Sequence, residues 1–107
     1  MNNSPENNKG LLRLLGLAAR AGKLVYGAPM VCEALKKADK VCMVFVAGNA
    51  SANTKKRISD KCSFYKKQLV ELDIDTAELG RILGKTGELA VVGLADNSFK
   101  EGIEKLI

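Results

Sequence analysis

Two unbroken apolar runs constrain this chain more than any other feature: residues 41–47 (VCMVFVA) and residues 89–95 (LAVVGLA). Each is shorter than a typical buried helix, is rich in valine, and ends at polar or turn-forming residues. That is the pattern of a strand covered on both faces. Covering both faces of a sheet requires helices on each side, so the runs predict an α/β protein, a three-layer α/β/α sandwich.

The segments between and around the runs read as those helices. Leu11, Leu12, Leu14, Leu15, Ala18 and Ala19 recur at helical spacing, with Gly22 as the stop. Leu24, Val25 and Tyr26 form a brief extended stretch. Gly27 then opens a second helix with Pro29 in its first turn, running to about Ala38. After the first buried run, Gly48, Asn49 and Ala50 turn the chain and Ser51 or Asn53 caps a third helix. Its inward stripe is Ile58, Cys62 and either Phe64 or Tyr65. Residues 68–72 make a short strand, Asp75 or Thr76 caps a fourth helix ending at Gly84, and Asn97 or Ser98 caps a fifth with Phe99, Ile103 and Leu106 inward. The outcome is a mixed sheet of about four strands with helical crossovers. Residues 1–9 (MNNSPENNK) have little to bury and read as a flexible N-terminal segment, leaving residues 10–107 as one domain.

At 107 residues and 47% apolar, the domain buries roughly two-thirds of its unfolded surface, enough for a core without a metal or disulfide staple. Cys32, Cys42 and Cys62 are odd in number and lie on apolar faces, where they act as small hydrophobes suited to a reducing compartment. No apolar run approaches the roughly 20 residues of a membrane span, and the polar start is unlike a secretion leader. The expectation is a soluble, cytoplasmic protein without membrane contact.

The absence of histidine removes the commonest metal ligand and the commonest general base near neutral pH. Asp73, Asp75 and Glu78 cluster, but Asp75 and Glu78 stand where a cap and a first-turn acid support a helix. Gly84, Lys85 and Thr86 resemble the tail of a phosphate-binding loop, yet position 79 is Leu where that motif needs glycine, and the segment runs from helix to strand rather than strand to helix. Asn49, Ala50 and Ser51 fit a glycosylation acceptor and are better explained as a turn and cap. The reading is of a protein that is not an enzyme and needs no cofactor or metal.

The charge is more informative. The net charge is +5, but residues 9–67 hold thirteen basic and three acidic side chains (+10), residues 68–107 hold four and eight (−4), and Glu6 adds −1. A basic first portion attracts polyanions and gains affinity by releasing their counterions. A merely solvated basic surface has the same composition, so particular residues must decide. Lys55, Lys56 and Arg57 begin a helix, where they oppose its dipole, and a phosphate backbone would favour them there. In residues 18–27 (AARAGKLVYG), Gly27 opens a helix whose free amides point outward, Lys23 adds charge, and Tyr26 offers a ring.

Residues 18–27, followed by 34–38 (ALKKA), 44–51 (VFVAGNAS), Thr54, Lys55 and Lys56 with Cys62, and 78–85 (ELGRILGK), together resemble the ribosomal protein L7Ae/L30e family of kink-turn RNA-binding proteins, specifically its small bacterial YlxQ-like branch. The resemblance spans about residues 10–104. It implies an α/β/α sandwich that binds structured, sharply bent RNA, ribosomal or other, between the start of helix two and the loop after helix four. The expectation is a monomer, associated with the ribosome or another structured RNA. The site residues it suggests are Gly27 and Ala28 at the helix start with Lys23 and Tyr26 beside them, Lys85, Thr86 and Gly87 in the loop, and Lys36 and Lys37 flanking with Arg20. Lys85 is expected to meet phosphate, and of the flanking basic residues Arg20, Lys23, Lys36 and Lys37, Lys23 is expected to lie nearest the site. Such proteins read sheared G·A pairs with a Gly-x-Asn-Glu segment and a following Lys. Here Pro29, Met30 and Glu33 replace the Asn, Glu and Lys. Those replacements motivate a rival reading, a protein-interaction module that keeps the fold and presents Met30 and Val31 as an apolar contact.

Overall fold

The computed structural model describes residues 5–37 and 40–107, and the elements follow the expected order. Helix α1 (Pro5–Arg20) leads through β1 (Leu24–Tyr26) and α2 (Ala28–Leu35) to β2 (Met43–Ala47) and α3 (Ala52–Tyr65). Then come β3 (Gln68–Leu72), α4 (Thr76–Ile82), β4 (Val91–Leu94) and α5 (Asn97–Glu104). The four strands form one mixed sheet in the order β1-β4-β2-β3, with β2 parallel to β3 and β4 antiparallel to both β1 and β2.

The two apolar runs supply the inner strands β2 and β4, and every residue of both is buried. Alternation along β2 sorts the core into two halves. Met43, Phe45 and Ala47 face a layer built by Leu11, Leu15 and Ala18 of α1, Leu79 of α4 and Ile103 of α5. Val44 and Val46 face the opposite layer, Val31, Cys32 and Leu35 of α2 with Ile58 and Cys62 of α3. Three layers result.

Helix boundaries differ from expectation at a few places, each for a local reason. Helix α1 begins at Pro5, within the segment read as a flexible lead-in; a proline at the first helical position forfeits no intrahelical bond. Ser51 and Asp75 cap α3 and α4, accepting from Thr54 N–H at 3.1 Å and Glu78 N–H at 2.8 Å. Helix α5 is capped by Asp96, one residue earlier than Asn97 or Ser98, because the Asp96 carboxylate reaches Phe99 N–H at 3.0 Å. On α3 it is Tyr65 that packs against the core, whereas Phe64 is 76% exposed. Helix α2 ends at Leu35, and Ala38, its expected end, lies outside the described residues.

The cysteines behave as small hydrophobes. Cys32 and Cys62 are buried, and burial pushes the Cys62 thiol up to about 11. Cys42 is half-buried, its thiol directed at the carbonyls of Leu94 and Asp96, and burial raises it too.

Candidate functional site

The sheet register decides which chain segments share an end of the molecule. Tyr26 of β1 pairs with Val92, Val46 of β2 with Val91, and Ala47 with Leu72 of β3. The C-terminal ends of β1, β2 and β3 therefore meet the N-terminal end of β4. The α2 start follows β1 here, and the loop after α4 enters here.

At the α2 start, Gly27 has φ +88°, a conformation that L side chains rarely adopt. Its N–H donates to Val91 O at 2.9 Å, and its carbonyl accepts from Val31 N–H at 2.9 Å, the first helical bond. Gly27 has no side chain to cap the helix and Pro29 has no N–H. The amides of Ala28 and Met30 are thus left for a ligand or solvent.

The loop of residues 84–88 is held against α4 from both sides. Lys85 N–H donates to Gly80 O at 2.8 Å, Leu89 N–H donates to Thr76 O at 3.0 Å, and the Thr76 hydroxyl donates to a Glu88 carboxylate oxygen at 2.6 Å. The loop passes so close that a Cβ on Gly80 would stand 2.3 Å from Gly87 O. Pinned in this way, the loop presents Lys85, Thr86 and Gly87 to solvent.

Lys85 joins the two segments: its Nζ lies 3.9 Å from the centroid of the Tyr26 ring. A cation over an aromatic face at an exposed site contributes about 0.5 to 1 kcal/mol. Burial raises the Tyr26 phenol above its ordinary value, so it stays protonated at neutral pH. The arrangement combines a cation, a ring, two unengaged amides and an exposed hydroxyl, a set that can hold phosphate and stack a base.

The remaining suggested residues lie elsewhere. Lys23 stands at the far end of β1, roughly 13 Å from Gly27 at about 3.3 Å per residue. Its carbonyl accepts from Ala95 N–H at that opposite end. Lys36 and Lys37 follow the last turn of α2, about one eight-residue helix length from Gly27. Lys36 pairs with Glu33 at 3.0 Å, and that ammonium holds the Glu33 carboxyl below its usual range. Lys37 lines a groove with Tyr26 and Met30 along the outer strand β1. Met30 is 61% exposed but Val31 is fully buried, so the apolar contact proposed for a protein partner loses one of its two residues.

The basic triplet is partly used by the fold. Lys55 Nζ donates to Gly48 O at 2.6 Å and pairs with Glu71 at 3.4 Å, and Lys56 pairs with Asp60 at 3.1 Å. Sequence reading also missed a cleft between α1 and α4, lined by Arg13, Arg20 and Arg81 and reaching Gly84 at the loop's edge. The spacing of Arg13 and Arg20, seven residues or about two turns apart on one helix, was the available signal.

Among the described residues, no group of His, Cys, Asp and Glu could hold a metal ion, and no helix is long and apolar enough to cross a membrane. Residues 9–103 match the model of the ribosomal protein L7Ae/L30e/S12e/Gadd45 family. The chain is 39% identical over 101 residues to the RNA-binding protein YlxQ of Enterococcus faecium, covering 94% of each chain. It is 36% identical to the protein of the same name from Bacillus subtilis (strain 168), covering 88% of this chain and 91% of that one. A solved structure of a protein with unknown function from Bacillus halodurans C superposes with a TM-score of 0.81 at 35% identity, over 90% of this chain and 94% of that one. The 15.5 kD RNA binding protein of Giardia lamblia shares the fold, with a TM-score of 0.77 at 20% identity over 96% of this chain and 86% of that one.

Proposed function

Because this chain belongs to the ribosomal protein L7Ae/L30e/S12e/Gadd45 family, we propose that it is a non-catalytic, monomeric RNA-binding protein of the cytoplasm, associated with ribosomal or other structured RNA. It grips bent or bulged RNA of the kink-turn kind between the start of α2 and the loop of residues 84–88. Lys85 meets phosphate, Tyr26 lends a ring, and the Ala28 and Met30 N–H groups donate to phosphate oxygens of the RNA backbone at the positive end of a helix. Thr86 and Gly87 approach unpaired nucleotides, which a protein loop can read where a regular A-form groove is closed to it. Pro29, Met30 and Glu33 offer none of the polar readers that sheared G·A pairs would meet, so shape and charge carry the recognition.

The observation that supports this most is the Lys85 ammonium seated over the Tyr26 ring, which unites two segments far apart in sequence into one cationic surface. The test is binding to a kink-turn RNA with a three-nucleotide bulge, beside the same duplex with the bulge deleted, over a range of salt. The bulged RNA is expected to bind more tightly, and Lys85→Ala to lower the salt slope by about 1, one phosphate contact. Equal affinity for both RNAs with an unchanged slope in the variant contradicts the proposal. The exposed Met30 favours a second reading, a protein-interaction module on the same fold. A partner from lysate that survives RNase and is lost in Met30→Ser supports that reading instead.

A further inference from the structure

Beyond this site, and resting on the same RNA-binding reading, we infer that the cleft between α1 and α4 is a second RNA contact, holding unpaired nucleotides of the strand that leaves the Lys85 loop. The cleft encloses about 530 Å³ and reaches Gly84, the residue before Lys85, so it is continuous with the proposed site. Its lining is amphiphilic. Leu12, Leu17 and Ile82 form an apolar floor, with Leu17 44% exposed, and Arg13, Arg20 and Arg81 stand around it.

Each part matches a part of a nucleotide. An apolar floor accepts the face of a base, while a guanidinium presents a planar fork of donors to phosphate oxygens. Arg13 and Arg20, two helical turns or about 10 Å apart along α1, make no ion pair among the described residues and keep that capacity. Arg81 is held in place by two hydrogen bonds to the carboxylate of Glu78, and those hydrogen bonds, with the guanidinium charge behind them, keep the Glu78 carboxyl below the usual range. Among the described residues, Glu78 is the only acid that pairs with any of these arginines, so the cationic excess persists. Charge complementarity and contact with the Lys85 loop select an RNA strand as the occupant.

The test compares two probes: the bulged kink-turn RNA, and the same RNA carrying six unpaired nucleotides at the 5′ or the 3′ end. For the wild-type protein, one extension is expected to raise affinity about five- to tenfold. In the double variant Arg13→Gln with Arg20→Gln the gain from the extension disappears, and the salt slope for the extended RNA falls by about 1.4, two single-strand phosphate contacts. Both arginines are exposed, so the variant is expected to fold, and its circular dichroism and thermal midpoint verify that. An extension that gives no gain in wild type, or the same gain in the double variant, overturns this inference while leaving the Lys85 site standing. Failure of wild type to bind either RNA overturns both.

Discussion

Two clefts of nearly equal size make an instructive pair. The first, about 560 Å³, lies where the turn after β2 meets the link from β3 to α4 and is lined by Gly48, Asn49, Glu71, Asp73 and Asp75. The second is the arginine-lined cleft between α1 and α4, about 530 Å³. In the first, most of the polar groups already serve the fold, Asp73 excepted. Asp75 caps α4, Asn49 Oδ1 accepts from Thr76 N–H at 2.8 Å, and Glu71 and Gly48 O share the Lys55 ammonium. In the second, only Arg81 is engaged, by Glu78, and Arg13 and Arg20 have no ionic partner among the described residues. The hollows are alike in volume and differ in unspent bonding capacity. That difference distinguishes a structural joint from a binding surface.

If this contrast holds, substitutions at the joint alter stability and substitutions at the binding surface alter affinity. The largest effect is expected where the two properties are coupled. Gly80→Ala drives a methyl into the backbone carbonyl of Gly87, which no side-chain movement can relieve, so urea unfolding should show a loss of roughly 3 kcal/mol together with weakened RNA binding. Unfolding at the wild-type midpoint would mean that the loop is not pinned against α4. Next, Asn49→Ala leaves the Thr76 amide without its partner and Asp75→Ala removes a helix cap; each should cost about 1 to 2 kcal/mol of stability and shift RNA affinity by less than about twofold. A large affinity change in these variants would erase the contrast. Lys85→Ala should weaken RNA binding about fivefold, about 1 kcal/mol, while costing at most the 0.5 to 1 kcal/mol or so of stability held in its contact with Tyr26. The smallest expected change is in the stability of the Arg13→Gln, Arg20→Gln double variant, within about 0.5 kcal/mol of wild type by thermal unfolding. A larger loss would reveal an internal role for those arginines.

Much of the architecture was legible because it depends on local pattern. The valine-rich runs became the inner strands, β3 came at residues 68–72, and Gly27, Ser51 and Asp75 opened their helices as their chemistry dictates. Errors arose where neighbouring residues offer similar chemistry. Asp96, Asn97 and Ser98 are all good caps, and only the backbone position of Phe99 N–H chooses among them. Phe64 and Tyr65 are both aromatic at the end of α3, and the helical turn buries one while exposing the other.

The candidate site was less legible because nearness along the chain is a poor guide to nearness in space. Lys23 is four residues from Gly27 yet occupies the other end of a strand, since each extended residue advances about 3.3 Å. Lys85 is distant in sequence and comes to rest on Tyr26, because antiparallel pairing of β1 with β4 brings the loop before β4 to the end of β1. The basic triplet is only partly available to a partner, because the Lys55 ammonium is spent on the Gly48 carbonyl and Glu71.

The most direct test of the account is an amide shift map of the isotopically labelled protein titrated with a bulged kink-turn RNA carrying unpaired extensions at both ends. Perturbations are predicted at residues 26–28 and 85–87 and across the cleft at Arg13, Leu17 and Arg20, with residues 48–49 and 71–75 quiet. Changes concentrated at the acidic cleft, or a spectrum that does not move, would contradict it.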